Sequence, residues 1–476
     1  MSEVSFESLN TAQFGDERLT DRLVNIVNRL SHNPHLSIPA AMDGRAEMEA
    51  AYRFFDNPKI TPEAIMAPHV ASTLERVRNT PVALLVQDTT EIDVTRPKQQ
   101  VEGAGPMDCD VRFGAFYHPL FAFDAHGLPL GTVWSKSWTR ESLKTNLTPA
   151  EKRKKNKEAP IEQKETHCWV EGIRAARAAA EACPQTQCIC IADSEADVYE
   201  HFAEILNSPK TGQLQLLVRA CQDRALIDCE KLLWDAVRAT PSLYESQVNL
   251  SGREAKIKAE KRPRRMSRTA RVAQLTTRAT TVTMRPPERP DRKLPEVQVN
   301  AVLVEEVDPP AGEVPIQWML VTTLPIETVQ QVQQVVSYYS LRWQIEVYFK
   351  TLKSGCRIES RYFERMGRLL NCVAVYTIVA WKVFYLCRLS RDCPDMDCEI
   401  VFDPSEWKPV YMTVCHKAPP RKPPTLNQIT KMIASLGGYV IRSSNQPGTQ
   451  TLWLGLQRLH DLSTAWRSFG PDTRLR

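Results

Sequence analysis

Tyr339, Arg342, Glu346 and Lys353 are spaced for chemistry on one helical face. At about 100° per residue, a continuous helix gathers these four side chains within a roughly 60° arc. An aromatic, a guanidinium, a carboxylate and an ammonium then point the same way. A core stripe wants apolar residues there, so this face is poorly suited to burial. It is well suited to holding a metal ion beside a phosphate backbone, with the carboxylate toward the metal and the cations toward phosphate. One carboxylate is not enough, because metal-assisted phosphoryl transfer draws acidic ligands from several elements. The chain supplies two more. Residues 82–87 read VALLVQ and run into Asp88, Thr89 and Thr90, and residues 187–192 read QCICIA and run into Asp193. Both runs have the length and composition of buried strands. Asp88, Asp193 and Glu346 are therefore expected on strand, strand and helix.

The elements that must position these acids are legible in outline. Residues 14–31 carry Leu19, Leu23, Ile26, Val27 and Leu30 at helical spacing. A second helix is expected over 45–56, ended by Asn57-Pro58, and a third from Pro62 to Val77. Such a helical front is either a packing module or a reader of DNA ends. From Val82 the pattern turns to strands: 82–88, then a hairpin in FYHPLFAFDAHGLPLGTVWSKSW with its turn at Ala125-His126-Gly127. A basic linker runs 140–165. Helix 166–182, strand 187–193, helix 195–206 and strand 213–220 follow, as in a mixed sheet with helices packed on it. Residues 221–325 interrupt this order with Thr- and Val-rich segments, including VQVNAVLVEE and IQWMLVTT, and are expected to form a β-rich insertion. One helix over 326–353 then carries Glu346. Two more are expected over 360–391, a proline-rich connection over 393–424, and helices at 426–436 and 450–468. The last two form either a self-association element or ordinary packing.

Composition bounds the rest. A chain of 476 residues has room for two to four domains, and its net charge of +5 decides nothing by itself. Charge is clustered, however: EKRKKNK at 151–157, and eight basic residues against Glu260 between Lys256 and Arg271. Such blocks are phosphate-binding surfaces or solvated loops. The 13 cysteines lack a CxxC, which fits reduced thiols better than a disulfide framework. The spacing of Cys393, Cys398, Cys415 and His416 leaves a zinc site as the less favoured reading. The start MSEVSFESLN lacks the regions of a signal peptide. The longest apolar stretch, Val373 to Leu386, is interrupted by Lys382 and is expected to be a core helix too short to cross a bilayer.

These features resemble the bacterial insertion-sequence DDE transposases with a Y-R-E-K signature. The match is Tyr339-x2-Arg342-x3-Glu346-x6-Lys353 within YSLRWQIEVYFKTLKSG. Asp193-Ser194-Glu195-Ala196-Asp197 is close to the family's D-R-E-A-D box, with Ser194 where arginine is usual. Asp88-Thr89-Thr90, AAYRFFDNP and LGGY are further landmarks in the same order. The serine removes a phosphate or carboxylate contact but leaves the acids intact.

The resemblance implies an α/β fold: an RNase H-like mixed-sheet catalytic core with a β-rich insertion, flanked by N-terminal and C-terminal helical domains. It divides the chain into a DNA-end-binding domain over 1–78, a catalytic domain over 79–391 with its insertion at 221–325, and a dimerisation or synapsis domain over 392–476. It implies cut-and-paste transposition by end binding, phosphodiester hydrolysis, hairpin formation and strand transfer. Asp88, Asp193 and Glu346 would hold two Mg2+ ions, replaceable by Mn2+. Trp318 would probe or stack on a displaced base, Tyr339 and Arg342 would contact nearby phosphates, Lys353 would touch DNA near the cut, and Arg219 matches a basic family position. The implied partners are double-stranded inverted-repeat ends, target DNA and a second protomer in a synaptic complex. No membrane is involved, and the implied location is the bacterial cytoplasm at the nucleoid. The competing readings are an RNase H-like nuclease or junction resolvase and a decayed relative that binds DNA without cutting. Each acid also has an ordinary role open to it: Asp88 as a turn cap, Asp193 as a helix cap, Glu346 in a surface ion pair.

Overall fold

The computed structural model describes residues 7–96, 100–109, 111–141, 148, 151, 159–206, 214–227, 229–252, 267–290, 292–442 and 445–471. Most of the basic linker 140–165 and most of the basic block 256–271 lie outside them. The chain divides into two compact units. The first is Met1–Ala83, Asp88–Asn146 and Trp343–Arg476, and the second is Leu84–Gln87 and Leu147–Arg342.

The first unit opens with helices Glu17–His32, Arg45–Phe55 and Pro62–Arg78. Asp16 and Thr61 cap the first and third by accepting backbone N–H bonds, and Pro62 sits where its missing N–H costs nothing. Strand β1 (Val82–Gln87) leaves this unit at residue 84. β2 (Thr90–Asp93), β3 (Gly105–Pro106) and β5 (Pro129–Trp138) each pair antiparallel with β4 (Phe113–Asp124). The β4–β5 hairpin is the one expected from its turn residues. β4 is buried along nearly its whole length.

The helix Met366–Asp392 fills the middle of this unit. Asn371 donates to the carbonyls of Phe55 and Ile60, and the Trp381 indole donates to Pro129. These bonds tie the front helices and the hairpin to one element. At 27 residues this helix is long and apolar enough to cross a membrane, so it outruns the stretch read from the sequence; 89% of its apolar window is nevertheless buried inside the protein. It replaces the two helices expected over 360–391.

The segment 393–424, expected as a plain connection, contains helix Pro404–Cys415. Asp403 and Glu406 form a reciprocal capping box at its start. This helix packs with Leu426–Leu436 and Thr449–Phe469 around Trp407, Val410, Ile429, Ile433, Leu452, Trp453, Leu456 and Leu459.

In the second unit the strand order is β1, β6 (Gln187–Ala192), β7 (Leu214–Ala220), β11 (Gln317–Thr322), β10 (Val297–Glu306), β9 (Arg271–Met284), β8 (Tyr244–Leu250). β6 and β7 are parallel, and the pairs from β7 outward are antiparallel. Helix Tyr199–Leu206 lies in the connection between the parallel strands, as parallel pairing requires. The segment expected as a β-rich insertion thus extends this sheet from β7.

Two expected helices are shorter than read. The one placed at 195–206 begins only at Tyr199. Before it, Asp193 caps a 3-10 turn over Ser194–Ala196, and the Asp197 carboxylate accepts the N–H groups of Cys221 and Gln222 and the Arg224 guanidinium. Those bonds pull the chain off a helical path. The single helix over 326–353 is two helices, Val329–Leu341 and Gln344–Lys350, followed by a π turn at Thr351–Gly355. The Arg342 N–H reaches back only to the Tyr339 carbonyl, which interrupts the regular ladder. Arg342 is buried at this break while Trp343 is 53% exposed, the reverse of their hydropathic order.

Candidate active site

In the second unit, β6 delivers Asp193 to its C-terminal end. One carboxylate oxygen accepts the Glu195 N–H at 2.8 Å and so fixes the turn after the strand. The ordinary capping role is therefore real, but it serves a 3-10 turn and uses one oxygen. Arg219 comes from the penultimate position of β7 and donates to the Ser194 hydroxyl at 3.0 Å. Across the sheet Arg219 faces Leu320 of β11, so Trp318, two residues along, shares its face. Trp318 is partly exposed and meets Tyr339 edge to face, with ring centroids 5.3 Å apart and planes at 69°.

Tyr339 is the centre of this group. Burial raises the pKa of its phenol, the Arg219 and Arg342 guanidiniums oppose that rise, and Asp193 adds to it. Its oxygen is buried, and no acceptor meets its proton. The Arg342 guanidinium acts on the phenol both by charge and by a side-chain hydrogen bond to its oxygen. The phenol stays protonated at neutral pH and lacks an acceptor, and a buried donor in that condition is costly. Asp193, Arg219, Trp318, Tyr339 and Arg342 are thus brought together in one unit.

In the first unit, Asp88 follows β1, and one of its oxygens accepts the Thr89 N–H at 2.8 Å. The Thr89 hydroxyl lies 2.8 Å from Nδ1 of the buried His118 on β4, which anchors the turn that carries Asp88. Glu346 sits partly exposed in the first turn of helix Gln344–Lys350. Tyr348 fastens that helix: its hydroxyl donates to the Thr377 carbonyl, and its ring lies 4.5 Å from Phe121. Lys353 falls in the π turn, with its ammonium 3.7 Å from a Glu359 carboxylate oxygen.

The four residues read as one helical face are therefore not on one helix. Tyr339 and Arg342 belong to the second unit, and Glu346 and Lys353 to the first. Asp88 and Glu346 share a unit, whereas Asp193 lies in the other. Among the described residues no group of three or more His, Cys, Asp or Glu side chains is arranged to hold a metal ion. The donor chemistry of the three acids remains that of a hard divalent cation, which takes carboxylate oxygens. His118, Asp197 and Glu359 were not singled out from the sequence. Asp197 does close the acidic box at 193–197, and that was its one visible signal.

Three family models match this chain in order. Residues 2–60 match the transposase DNA-binding domain, 160–371 the transposase DDE domain, and 378–468 the Tn5 transposase dimerisation domain. A solved structure of a piggyBac transposase synaptic complex with hairpin DNA is 10% identical, covering 96% of this chain and 73% of that one, at a TM-score of 0.36. That likeness is too distant to bear on the fold. The DDE match makes the core an RNase H-like, metal-dependent DNA nuclease and strand transferase. The chain belongs to the DDE transposases of insertion sequences. Within them it resembles the Tn5 transposase, and it binds DNA and forms dimers.

Proposed function

We propose that this transposase moves an insertion sequence by cut-and-paste, using Asp88, Asp193 and Glu346 as the ligands of two Mg2+ ions, with Mn2+ able to replace them. When bound, such ions activate the attacking oxygen and stabilise the leaving one. The chain's own groups hold the DNA. The observation that carries the reading is the buried Tyr339 hydroxyl, its proton without an acceptor, between Arg219 and Arg342. A phosphate oxygen would complete that donor and lie beside two guanidiniums. Trp318, packed on the same tyrosine, offers a face to a base displaced from the duplex end. Lys353 meets the backbone beside the cut bond.

Four steps follow. Water attacks the phosphodiester at the element's end and frees a 3′-hydroxyl. That hydroxyl attacks the opposite strand, which forms a hairpin and releases the flanking DNA. Water opens the hairpin. The regenerated 3′-hydroxyl then joins target DNA. Residues 1–78 bind the ends, 79–391 cut and join with 221–325 as the β-rich insertion, and 392–476 pair two protomers in a synaptic complex. The reaction takes place on the nucleoid in the cytoplasm.

The test is a cleavage-and-joining assay on DNA bearing the inverted repeats that flank the protein's coding region, with Mg2+ or Mn2+ and Glu346→Ala as control. Excision, hairpins and insertion by the wild type alone support the reading. End-specific binding without cleavage in either metal overturns it in favour of a DNA-binding relative. Cutting without joining points to a nuclease.

A further inference from the structure

We infer that Glu359 is a positioning residue for Lys353, holding its ammonium at the DNA-facing site until phosphate takes its place. The inference rests on the proposed contact between Lys353 and DNA. A lysine on its four-carbon stem is a mobile point charge. Here its ammonium is 3.7 Å from a Glu359 oxygen, and that same oxygen accepts the Asp93 N–H at 3.1 Å. Asp93 ends β2, the strand that begins just after Asp88 and Thr89. The carboxylate thus ties the π turn bearing Lys353 to the strand that follows Asp88.

Glu359 is itself held firmly. It lies in a 3-10 turn over Ile358–Ser360, entered through Arg357 in the left-handed region at φ 52°. The Arg96 guanidinium donates to the carbonyls of Glu359 and Arg361. The guanidinium of the buried Arg361 in turn donates to the carbonyls of Cys356, Pro34 and Leu36 and lies over the Tyr376 ring. These arginine bonds fix the loop without the Lys353 contact. The Lys353 and Glu359 side chains are 27% and 34% exposed, so their ion pair adds little to stability. Its consequence is orientation. A fixed anion beside incoming DNA also repels phosphate, so binding and chemistry should respond to its removal in opposite directions.

The experiment uses the full chain and a duplex carrying one flanking inverted repeat, with wild type, Glu359→Gln, Glu359→Asp, Lys353→Ala and the Glu359→Gln/Lys353→Ala pair. Dissociation constants, single-turnover cleavage rates and melting temperatures are measured for each. Glu359→Gln keeps an acceptor for the Asp93 N–H and loses the charge. It should bind the end as tightly as wild type or tighter, yet cleave on the order of tenfold more slowly. Glu359→Asp should recover part of that rate. In the double variant the loss should be no larger than in Lys353→Ala alone, because the two residues act as one unit. Multiplying losses in the double variant overturn the inference and leave the Lys353 reading standing. So does a Glu359→Gln variant that loses affinity, rate and melting temperature together. A Lys353→Ala protein with normal binding and cleavage overturns the Lys353 reading and the inference with it.

Discussion

The Trp318 and Tyr339 rings meet edge to face at 5.3 Å, one partly exposed on β11 and the other buried at the end of helix Val329–Leu341. The pair holds the phenol against Arg219 and Arg342. Removing the indole should therefore do more than remove a stacking surface. Trp318→Ala loses an edge contact worth about 1 kcal/mol on top of the area the indole buries, so its melting temperature should also fall. Its single-turnover cleavage rate should fall on the order of ten- to a hundredfold, because both the stacking face and the tyrosine's support are lost. Trp318→Phe should recover most of the rate. A Trp318→Ala enzyme that cuts normally would leave the tryptophan as a packing residue only.

Arg219 and Ser194 make a second testable pair. The serine occupies the position where the related box carries arginine, and its hydroxyl accepts from Arg219 across 3.0 Å. The guanidinium of β7 thus reaches the turn after Asp193. If it contacts phosphate, Arg219→Ala should weaken end binding and lower the slope of log affinity against log salt by about one. Ser194→Ala should weaken binding less and leave the slope unchanged, since the charge remains. Affinities measured over a salt series separate the two outcomes.

These pairings mark where the sequence could be read and where it could not. The runs VALLVQ and QCICIA are apolar throughout and end at aspartate, so β1, β6 and the acids after them were visible as composition. The N-terminal stripe of Leu19, Leu23, Ile26, Val27 and Leu30 is legible as periodicity; the last four are buried and Leu19 is half-buried. The register from Tyr339 to Lys353 runs through a break. Periodicity assumes a continuous ladder, whereas the buried Arg342 and the π turn at Thr351–Gly355 are set by tertiary contacts. The capping box Asp403-Pro404-Ser405-Glu406 is a local signal set within a proline-rich stretch. Thr89 with His118, Arg219 with Ser194 and Glu359 with Asp93 join residues far apart in sequence, and no spacing rule reaches them.

Two buried histidines give the protein an acid sensitivity of definite sign. His69 accepts the Thr132 N–H through Nε2 and lies edge-on to Trp381, and burial lowers its pKa to about 3. His201, its Nε2 3.0 Å from the Gln87 amide nitrogen, is lowered by burial to about 4. Both folded values lie below the 6.5 of an exposed histidine, so the unfolded chain takes up protons first as pH falls. Their contribution is intact above about pH 6.5 and is lost progressively toward about pH 4 for His201 and about pH 3 for His69. At pH 5 each should cost on the order of 2 kcal/mol of stability. Melting temperatures should drop between pH 7 and 5, and His69→Gln should flatten that drop although it lowers stability at pH 7. A His69→Gln protein with an unchanged slope would remove His69 from the account.

Gly455 tests how the C-terminal helices support self-association. It lies in helix Thr449–Phe469, within the 378–468 span matched by the dimerisation domain. A Cβ built there would stand 1.9 Å from the Ile433 carbonyl oxygen of helix Leu426–Leu436, a contact no rotamer can relieve. Gly455→Ala must push the two helices apart and should cost about 1–3 kcal/mol by overpacking. Gly448, which caps the start of the same helix, has nothing within 4 Å of its Cβ position, so Gly448→Ala meets no clash and should cost only the poorer N-cap, under about 1 kcal/mol. Sedimentation should show Gly455→Ala losing dimer at concentrations where wild type and Gly448→Ala retain it. Binding of a single DNA end should survive in both variants, because residues 2–60 match the DNA-binding domain and lie outside the altered span. If Gly455→Ala dimerises normally despite a lowered melting temperature, the helix crossing is internal packing and the dimer surface lies elsewhere in the span.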